Sequence, residues 1–537
     1  GKKVSTTENA IPTAGDAEKP TDDGSTDHES FWSSPSFDSV VREVQTHKLR
    51  SSIAALVLLA LVSSALYLVF LAPRASGQID SIAVLPFENL TGNADLNYAS
   101  EGISEGLIDR LSELPQLKVI SRTSSSKFRG ADLDLKKVAS QLGVRAIATG
   151  RVTKVGDDIS IRVDIVDAID DKQIAGGQYV RKAADVANIQ NEIAQMAADK
   201  LQLPLTDGQS KRLKNKDTEN AEAFRYYLTG LVALNSPEDV RGNALDYFEQ
   251  AVKLDPEFAA AHAEIGWIYW SRANASGDPH EIMPKVKASA ERAIALDPDL
   301  AKAHVLTATV KEYEFDWSGA DSSYRRAIEL SPNLDFARNN YAFYLSIMGQ
   351  HDDALRQLDE QQMRDPINKR LGLLQKGIVL VQARRFDDAL RAYQEAQMVE
   401  PANEVPTFAL GYAYGGKGLH NEAVSNYRAA IAVLGGDEKY TQPLVYLAAT
   451  YAEIPDKRNE ARSILNRIET MRDYKSPALL SAVYSALDDN DKAMELLEQA
   501  YIKHDLLLRF IGTGYEYDGL RDDPRFIDLL RRMGMHN

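Results

Sequence analysis

Small and large apolar residues recur in units along the second half of the chain. Leu-Asp-Pro ends at Pro256 and Pro298, Leu-Ser-Pro at Pro332, Arg-Asp-Pro at Pro366 and Val-Glu-Pro at Pro401. The steps are 42, 34, 34 and 35 residues, and the longest carries an insertion around "ASGDPHEIMP". Five residues before these prolines stand Ala251, Ala293, Ala327, Gln361 and Ala396, and eight before stand Phe248, Ala290, Tyr324, Leu358 and Tyr393. Small residues let two helices approach, larger ones fill the gap between them, and proline stops the second helix. Gly266, Gly377 and Gly411 fall at a close-contact position of the first helix, and Ala354, Ala389 and Ala423 at a small position of the second. Two further units, about 441–470 and 474–505, lack the proline but keep Tyr451, Ala461, Tyr484, Ala493 and Ala500. The spacing predicts about eight helical hairpins over 222–505, followed over 506–537 by a capping helix, "DPRFIDLLRRMG".

Upstream the periodicity changes. "SIAVLPF" (81–87) and "LKVIS" (117–121) are short apolar runs of the strand kind. "NYASEGISEGLIDRLSEL" (97–114) places Ile103, Leu107, Ile108, Leu111 and Leu114 at helical spacing, and "LDLKKVASQLG" (133–143) is a helix closed by Gly143. Three β segments follow, then a helix over 186–201. The order β-α-β-α-β-β-β-α over 79–205 predicts a small α/β domain with a mixed sheet.

Further upstream, residues 51–72 hold no charged side chain in 22 positions. At about 1.5 Å per residue they span about 33 Å, enough for a hydrocarbon core of about 30 Å, with every backbone group paired inside a helix. This predicts one transmembrane helix, with the bilayer as a partner of the chain. Arg42, Lys48 and Arg50 precede the span and only Arg74 closely follows it. The positive-inside rule then puts the amino-terminal side in the cytoplasm and the later domains outside it. Residues 37–50 put Phe37, Val40, Val41 and Val44 on one face of a juxtamembrane helix. Residues 1–36 are rich in Thr, Ser, Asp, Glu, Gly and Pro and cannot bury enough surface to order themselves, which predicts a disordered linker. The chain opens on Gly1, as expected of a fragment or a processed product.

Two stretches carry family resemblances. "IAVLPFENLTGN" (82–93), "SEGISEGLIDRLSELPQLKVISRTSS" (100–125) and "LGVRAIATGRV" (142–152) resemble the TolB amino-terminal-like family, related to FlgO domains, which implies association within the bacterial envelope. The units of 222–505 resemble tetratricopeptide repeats. That resemblance implies a solenoid whose concave groove takes a protein or peptide, with Asn339, Asn340 and Phe343 in one repeat and Leu374 and Ile378 in the next as groove residues. Linker, span, α/β domain and array together are similar to the carboxy-terminal region of large bacterial signalling proteins. In those a serine/threonine kinase, a nucleotide cyclase or a winged-helix DNA-binding domain precedes the span. "SVVREVQTHKLR" and "LRDDPRFIDLLRRMG" resemble the kinase-linked group.

Composition narrows the chemistry. The net charge of −16 argues against nucleic-acid binding by this chain. With no cysteine there is no disulfide, thiol nucleophile or thiolate-held metal. The nine histidines show no metal-binding spacing, and His262 and His304 take equivalent repeat positions as packing residues. No phosphate-binding loop or dinucleotide fingerprint follows a strand, and "SRTSSSK" (121–127), with Arg122 and Lys127, is expected to be a solvated loop. No cofactor and no catalytic residue are expected. Because solenoid contacts run between neighbours, the array is expected to fold without the α/β domain, with a boundary near residue 215. The chain is thus expected to be a membrane-anchored, non-catalytic binding and sensing module of a bacterial inner membrane. An envelope assembly scaffold is the alternative, and an enzyme with its site in the α/β domain ranks third.

Overall fold

Apolar runs without polar alternation make strands covered on both faces, and β1 (Ser81–Val84) is buried at all four positions. The computed structural model describes residues 79–535, apart from 94–95, 131, 157, 183–185, 235–241, 276–277, 400–403, 435, 437–440 and 472–474. The linker, juxtamembrane segment and apolar span expected over 1–72 lie outside the described residues. Among the described residues no helix is long and apolar enough to cross a membrane.

The sheet contains β1, β2 (Glu88–Asn89), β3 (Lys118–Val119), β4 (Ala146–Val155), β5 (Asp158–Asp167) and β6 (Lys172–Arg181). Its order is β3-β1-β4-β5-β6, with β2 also beside β4. β1 runs parallel to β3 and β4, while β4, β5 and β6 form an antiparallel meander, so the sheet is mixed as expected. β5 buries Ile159, Ile161, Val163 and Ile165 and turns Arg162 to solvent. Helix Leu135–Leu142 starts where the Asp134 carboxylate accepts from the Lys137 amide and ends at Gly143 with φ 63°, a left-handed cap that suits glycine.

Among the described residues eight helix pairs follow. They are Ala221–Leu234 with Ala244–Leu254, Ala259–Ala275 with Pro279–Leu296, Ala301–Tyr313 with Trp317–Leu330, and Asp335–Ile347 with His351–Arg364. The remaining four are Lys369–Gln382 with Phe386–Val399, Glu404–Gly416 with His420–Val433, Thr441–Ala452 with Arg458–Thr470, and Pro477–Ala486 with Asn490–Ile502. The glycines of the first helices are there because a ring of the second helix lies against the backbone. A Cβ on Gly411 would stand 2.9 Å from the Tyr427 ring, one on Gly230 2.7 Å from Phe248, and one on Gly377 would overlap Tyr393.

The residues before Pro256, Pro298, Pro332 and Pro366 leave the helical region, with φ of −139° at Asp255, −135° at Asp297, −141° at Ser331 and −126° at Asp365. Crowding by the proline ring forces that conformation and ends the helix. Six residues after the proline a side chain ties the loop back. The Nε2 of His262 lies 3.1 Å from the Pro256 carbonyl, that of His304 lies 2.7 Å from the Pro298 carbonyl, and Arg338 Nε donates to the Pro332 carbonyl at 3.4 Å. The two histidines are thus structural, as expected.

The structure adds to two expectations. The array packs against the α/β domain: residues 78–537 form one unit, and one apolar cluster joins Ile103 and Leu107 to Phe224, Tyr227, Leu228 and Phe248. Helix Asn97–Ser112 lies between the sheet and the first repeat, so close that a Cβ on Gly102 would stand 2.9 Å from Leu228. The terminal segment also does more than cap the last pair. Phe526, Leu529 and Met533 share a core with Val305, Trp317 and Tyr341 of the third and fourth pairs, and Trp317 Nε1 donates to the Met533 carbonyl at 2.5 Å. The curl of stacked pairs brings distant repeats together.

Substituting Gly377→Ala should destabilise the chain by about 1–3 kcal/mol, because a methyl group there has to displace Tyr393 or the helix. Denaturant melts followed by circular dichroism measure this, and an unchanged midpoint would contradict the close contact.

Candidate functional site

The five groove residues read from the repeat pattern divide. Asn339 is buried and its Oδ1 lacks a hydrogen-bond partner. Leu374 is buried in a core with Tyr393, Ala389 and Leu410. Ile378 is half-buried. Asn340 and Phe343, one helical turn apart on Asp335–Ile347, both line a cavity of about 370 Å³. Asn340 donates from Nδ2 to the Phe336 carbonyl at 2.7 Å, which holds its amide in place.

The rest of that cavity comes from elsewhere in the chain. Trp267, Trp270 and Asn274 come from helix Ala259–Ala275, Glu312 from the third pair, and Arg509 and Phe510 from the terminal segment. The Arg509 guanidinium lies 5.3 Å from the Trp270 ring centre and 5.0 Å from that of Phe510, within cation–π range. Its Nη1 pairs with Glu312 at 3.3 Å and its Nη2 donates to Asn274 Oδ1 at 3.0 Å. Burial raises the Glu312 carboxyl above its ordinary range, while Arg509 and the Tyr324 hydroxyl oppose the shift. Charge is therefore balanced inside the wall. What remains facing an entering group is aromatic surface with amides beside it, suited to an apolar or aromatic side chain on an extended backbone.

A second polar site joins the α/β domain to the array, along the row of loops that carry the prolines. The Thr218 hydroxyl donates to Asp255, and Arg212 lies 3.7 Å from Asp297 and 3.6 Å from Asp299. Ser331 donates to the Ser112 carbonyl at 3.1 Å. Asn333 donates to the Leu117 carbonyl at 2.8 Å and accepts from the Val119 amide at 3.4 Å. Asp365 accepts from the hydroxyls of Ser121 and Ser124, the latter at 2.6 Å. This corrects the expectation for "SRTSSSK". Residues Arg122–Ser125 form a short helix, Ser124 and Ser125 are buried, and the Ser121 and Ser124 hydroxyls serve a repeat carboxylate while that of Ser125 donates to the Ser121 carbonyl. Arg122 is not solvated either, since it pairs with Glu105. The signal was present in the sequence as a polar residue before each proline.

Beside this row several charges lie together. Lys302 pairs with the buried Glu264, and Asp109 and Glu113 line a small cavity with them. Burial raises the Glu105 carboxyl to about 7 against the pull of Arg122. Among the described residues no group of three or more His, Asp or Glu side chains is placed to hold a metal ion.

Comparison with known proteins separates the two domains. Residues 78–196, the stretch that resembled the TolB amino-terminal-like family, match the family described as HilA/YgeH-like transcriptional regulator, second domain. Residues 323–356 match a tetratricopeptide repeat family, as expected. Over 194 residues the chain is 31% identical to a protein of Rhizobium meliloti (strain 1021) named putative adenylate cyclase 3. That alignment covers 35% of this chain and 32% of the relative, so the match spans about a third of the relative's length, and the relative is named a cyclase where a kinase link was expected. Among solved structures, Pseudomonas aeruginosa PilF is 17% identical, with 49% of this chain and 96% of that chain covered and a TM-score of 0.28. Yeast Tom70 is 18% identical, with 66% and 84% covered and a TM-score of 0.37. YrrB, described as a tetratricopeptide protein with an unusual peptide-binding site, is 18% identical, with 35% and 91% covered and a TM-score of 0.25.

The covered carboxyls set a pH dependence. Glu105, Asp335 and Glu516 are raised to about 7, so the folded chain holds protons that the unfolded chain releases near pH 4. Between those limits stability falls as pH rises. Burial lowers the pKa of His262 and His351, which opposes this trend only below about pH 6.5. The melting temperature should therefore rise as the pH is lowered from 8 to 6.5, and Glu105→Gln should flatten the rise. A flat profile for the parent chain would show that these groups are solvated.

Proposed function

We propose that this chain is the receiving part of a membrane-anchored bacterial signalling protein, in which the array binds a protein or peptide and does not itself catalyse. The observation that carries this reading is the cavity formed by Asn340, Phe343, Trp267 and Trp270 on first helices of separate repeats. It offers aromatic surface for a side chain and amides for a backbone. The rigid seating of the α/β domain on the proline loops gives a route by which an event in the array reaches the sheet.

The likeness to the second domain of transcriptional regulators and to a protein named an adenylate cyclase supports a module that serves different outputs. Residues 51–72 are read as the anchor, with residues 1–50 in the cytoplasm and the folded domains beyond the inner membrane. Output chemistry then belongs to another part of the signalling protein.

Peptide binding is tested with the purified chain and a panel of extended peptides, each carrying one aromatic residue, by fluorescence anisotropy. Phe343→Ala or Trp270→Ala should weaken the best binder about tenfold, which is about 1.4 kcal/mol. Removing an aromatic ring from water contributes on that order, about 1.5–3 kcal/mol. Arg356→Ala and Arg391→Ala should change little, because Arg356 pairs with Asp353 and Arg391 with Asp388 on exposed surface, where such pairs contribute under about 1 kcal/mol. If the arginine variants lose the peptide and the aromatic variants keep it, the binding face is the other one.

Orientation is tested separately. A reporter active only outside the cytoplasm should work when fused after residue 210 and fail when fused before residue 45. The reverse pattern would overturn the topology.

A further inference from the structure

A second cavity, of about 420 Å³, lies where the fourth and fifth helix pairs meet the terminal segment. Arg384, Arg521, His351, Gln382 and Thr513 line it. Arg384 sits in the turn after Lys369–Gln382 with a left-handed φ of 61°, a conformation uncommon for a residue with a side chain. Its Nη2 pairs with Asp518 at 2.7 Å, and Arg521 Nε pairs with the same carboxylate oxygen at 2.7 Å. One carboxylate thus faces two guanidinium groups, and neither guanidinium can lose its charge. Arg521 donates its other nitrogens to the carbonyls of Gly512 and Gly514 at 3.0 and 3.1 Å, so it is fully engaged.

Arg384 is not. Its Nη1 is buried without a hydrogen-bond partner, and so is the Thr513 hydroxyl oxygen. Buried polar groups are nearly always partnered, and a charged one left alone is costly. Gln382 Oε1 accepts from Ser346, which leaves the Gln382 amide N–H groups. The same hydroxyl then accepts from His351 Nδ1 at 3.1 Å, so His351 Nε2 carries a lone pair in the neutral ring and becomes a donor on protonation. The unused donors of Arg384, Gln382 and Thr513 lie together on two separate segments of the chain, with His351 beside them.

We infer that this cavity is a binding site for a small oxyanion, the phosphate or carboxylate group of a small molecule, held by Arg384 and Thr513 with Gln382 and His351 beside it. A guanidinium fork and a hydroxyl are the pair of donors that such a group accepts from in charge-assisted bonds. The chain carries a net charge of −16, so its long-range field repels anions and capture depends on these local donors. Occupancy ties the fifth pair to the terminal segment through Arg384, and it is independent of the aromatic cavity.

The test uses the whole purified chain at constant ionic strength. Inorganic phosphate, glycerol phosphate and succinate are each titrated by calorimetry, and the three arms tell free phosphate, a phosphate ester and a carboxylate apart. At least one should bind saturably, raise the melting temperature and move the His351 titration upward in histidine-labelled NMR spectra, since a bound anion favours the imidazolium. Thr513→Val and Arg384→Gln should each weaken that binding at least tenfold, with helicity by circular dichroism unchanged. If Arg384→Gln fails to fold, Arg384→Lys with Thr513→Val carries the same expectation. No saturable binding by any of the three, binding that survives both substitutions, or a His351 titration that does not respond to the bound anion would each overturn the site.

Discussion

The residue before proline holds this molecule together. In four successive loops the proline ring forces the preceding residue out of the helix, and in each case a short polar side chain stands there. At Asp255, Asp297 and Asp365 one carboxylate oxygen accepts from the loop's own backbone, two residues on, at 3.0, 3.0 and 3.3 Å. The other oxygen points outward, where Thr218, Arg212 and Ser121 meet it. A helix stop repeated every 34 residues or so is therefore also a ladder of acceptors along one edge of the solenoid. The α/β domain seats on that ladder. Everything else about the assembly, including the shared apolar cluster under helix Asn97–Ser112, follows from this registration.

Such a joint is polar, and its physics differs from that of an apolar core. Removing carboxylates from water costs several kcal/mol for each ion unless partners replace the lost hydration. Asp365 has two hydroxyls, and Glu264 has Lys302. At Glu105 burial outweighs the pull of its partner Arg122, and the carboxyl is raised to about 7. The joint is geometrically specific, because each donor fits one acceptor, and its strength depends on protonation in a way that an apolar contact would not.

The curl of the array creates the second level of organisation. It brings Leu497, Phe526 and Met533 against Val305, Trp317 and Tyr341, closing distant repeats onto one another. Both cavities arise from that closure. Each takes some walls from first helices of repeats and others from residues 506–535, and each contains an arginine that crosses between the two, Arg509 in one and Arg384 in the other. The first has its charge balanced by Glu312 and presents aromatic surface. The second keeps donors in excess. Two neighbouring spaces built from the same segments are thus chemically distinct.

What the sequence determined by itself is what local spacing dictates. The step between prolines, the glycines under Tyr393 and Tyr427 and the alanines of the second helices specify the helix pairs, because the partners lie within about 20 residues of each other. The change from helical to strand periodicity specified the α/β domain and most of its elements, down to Gly143 as a helix end, but not β2 or the short helix Arg122–Ser125. Of the residues placed in the groove by repeat position, Asn340 and Phe343 line the aromatic cavity, whereas Leu374 is buried in the core. Repeat position gives the face of a helix, and only the neighbouring layers decide what covers that face. Trp267 and Arg509 are 242 residues apart, and Ser124 and Asp365 are 241 apart. No local pattern pairs residues at that separation. Their meeting depends on the rotation accumulated over several stacked pairs and on the shape of the domain that seats on them, which is why the tertiary structure alone placed the joint, the closure and both cavities.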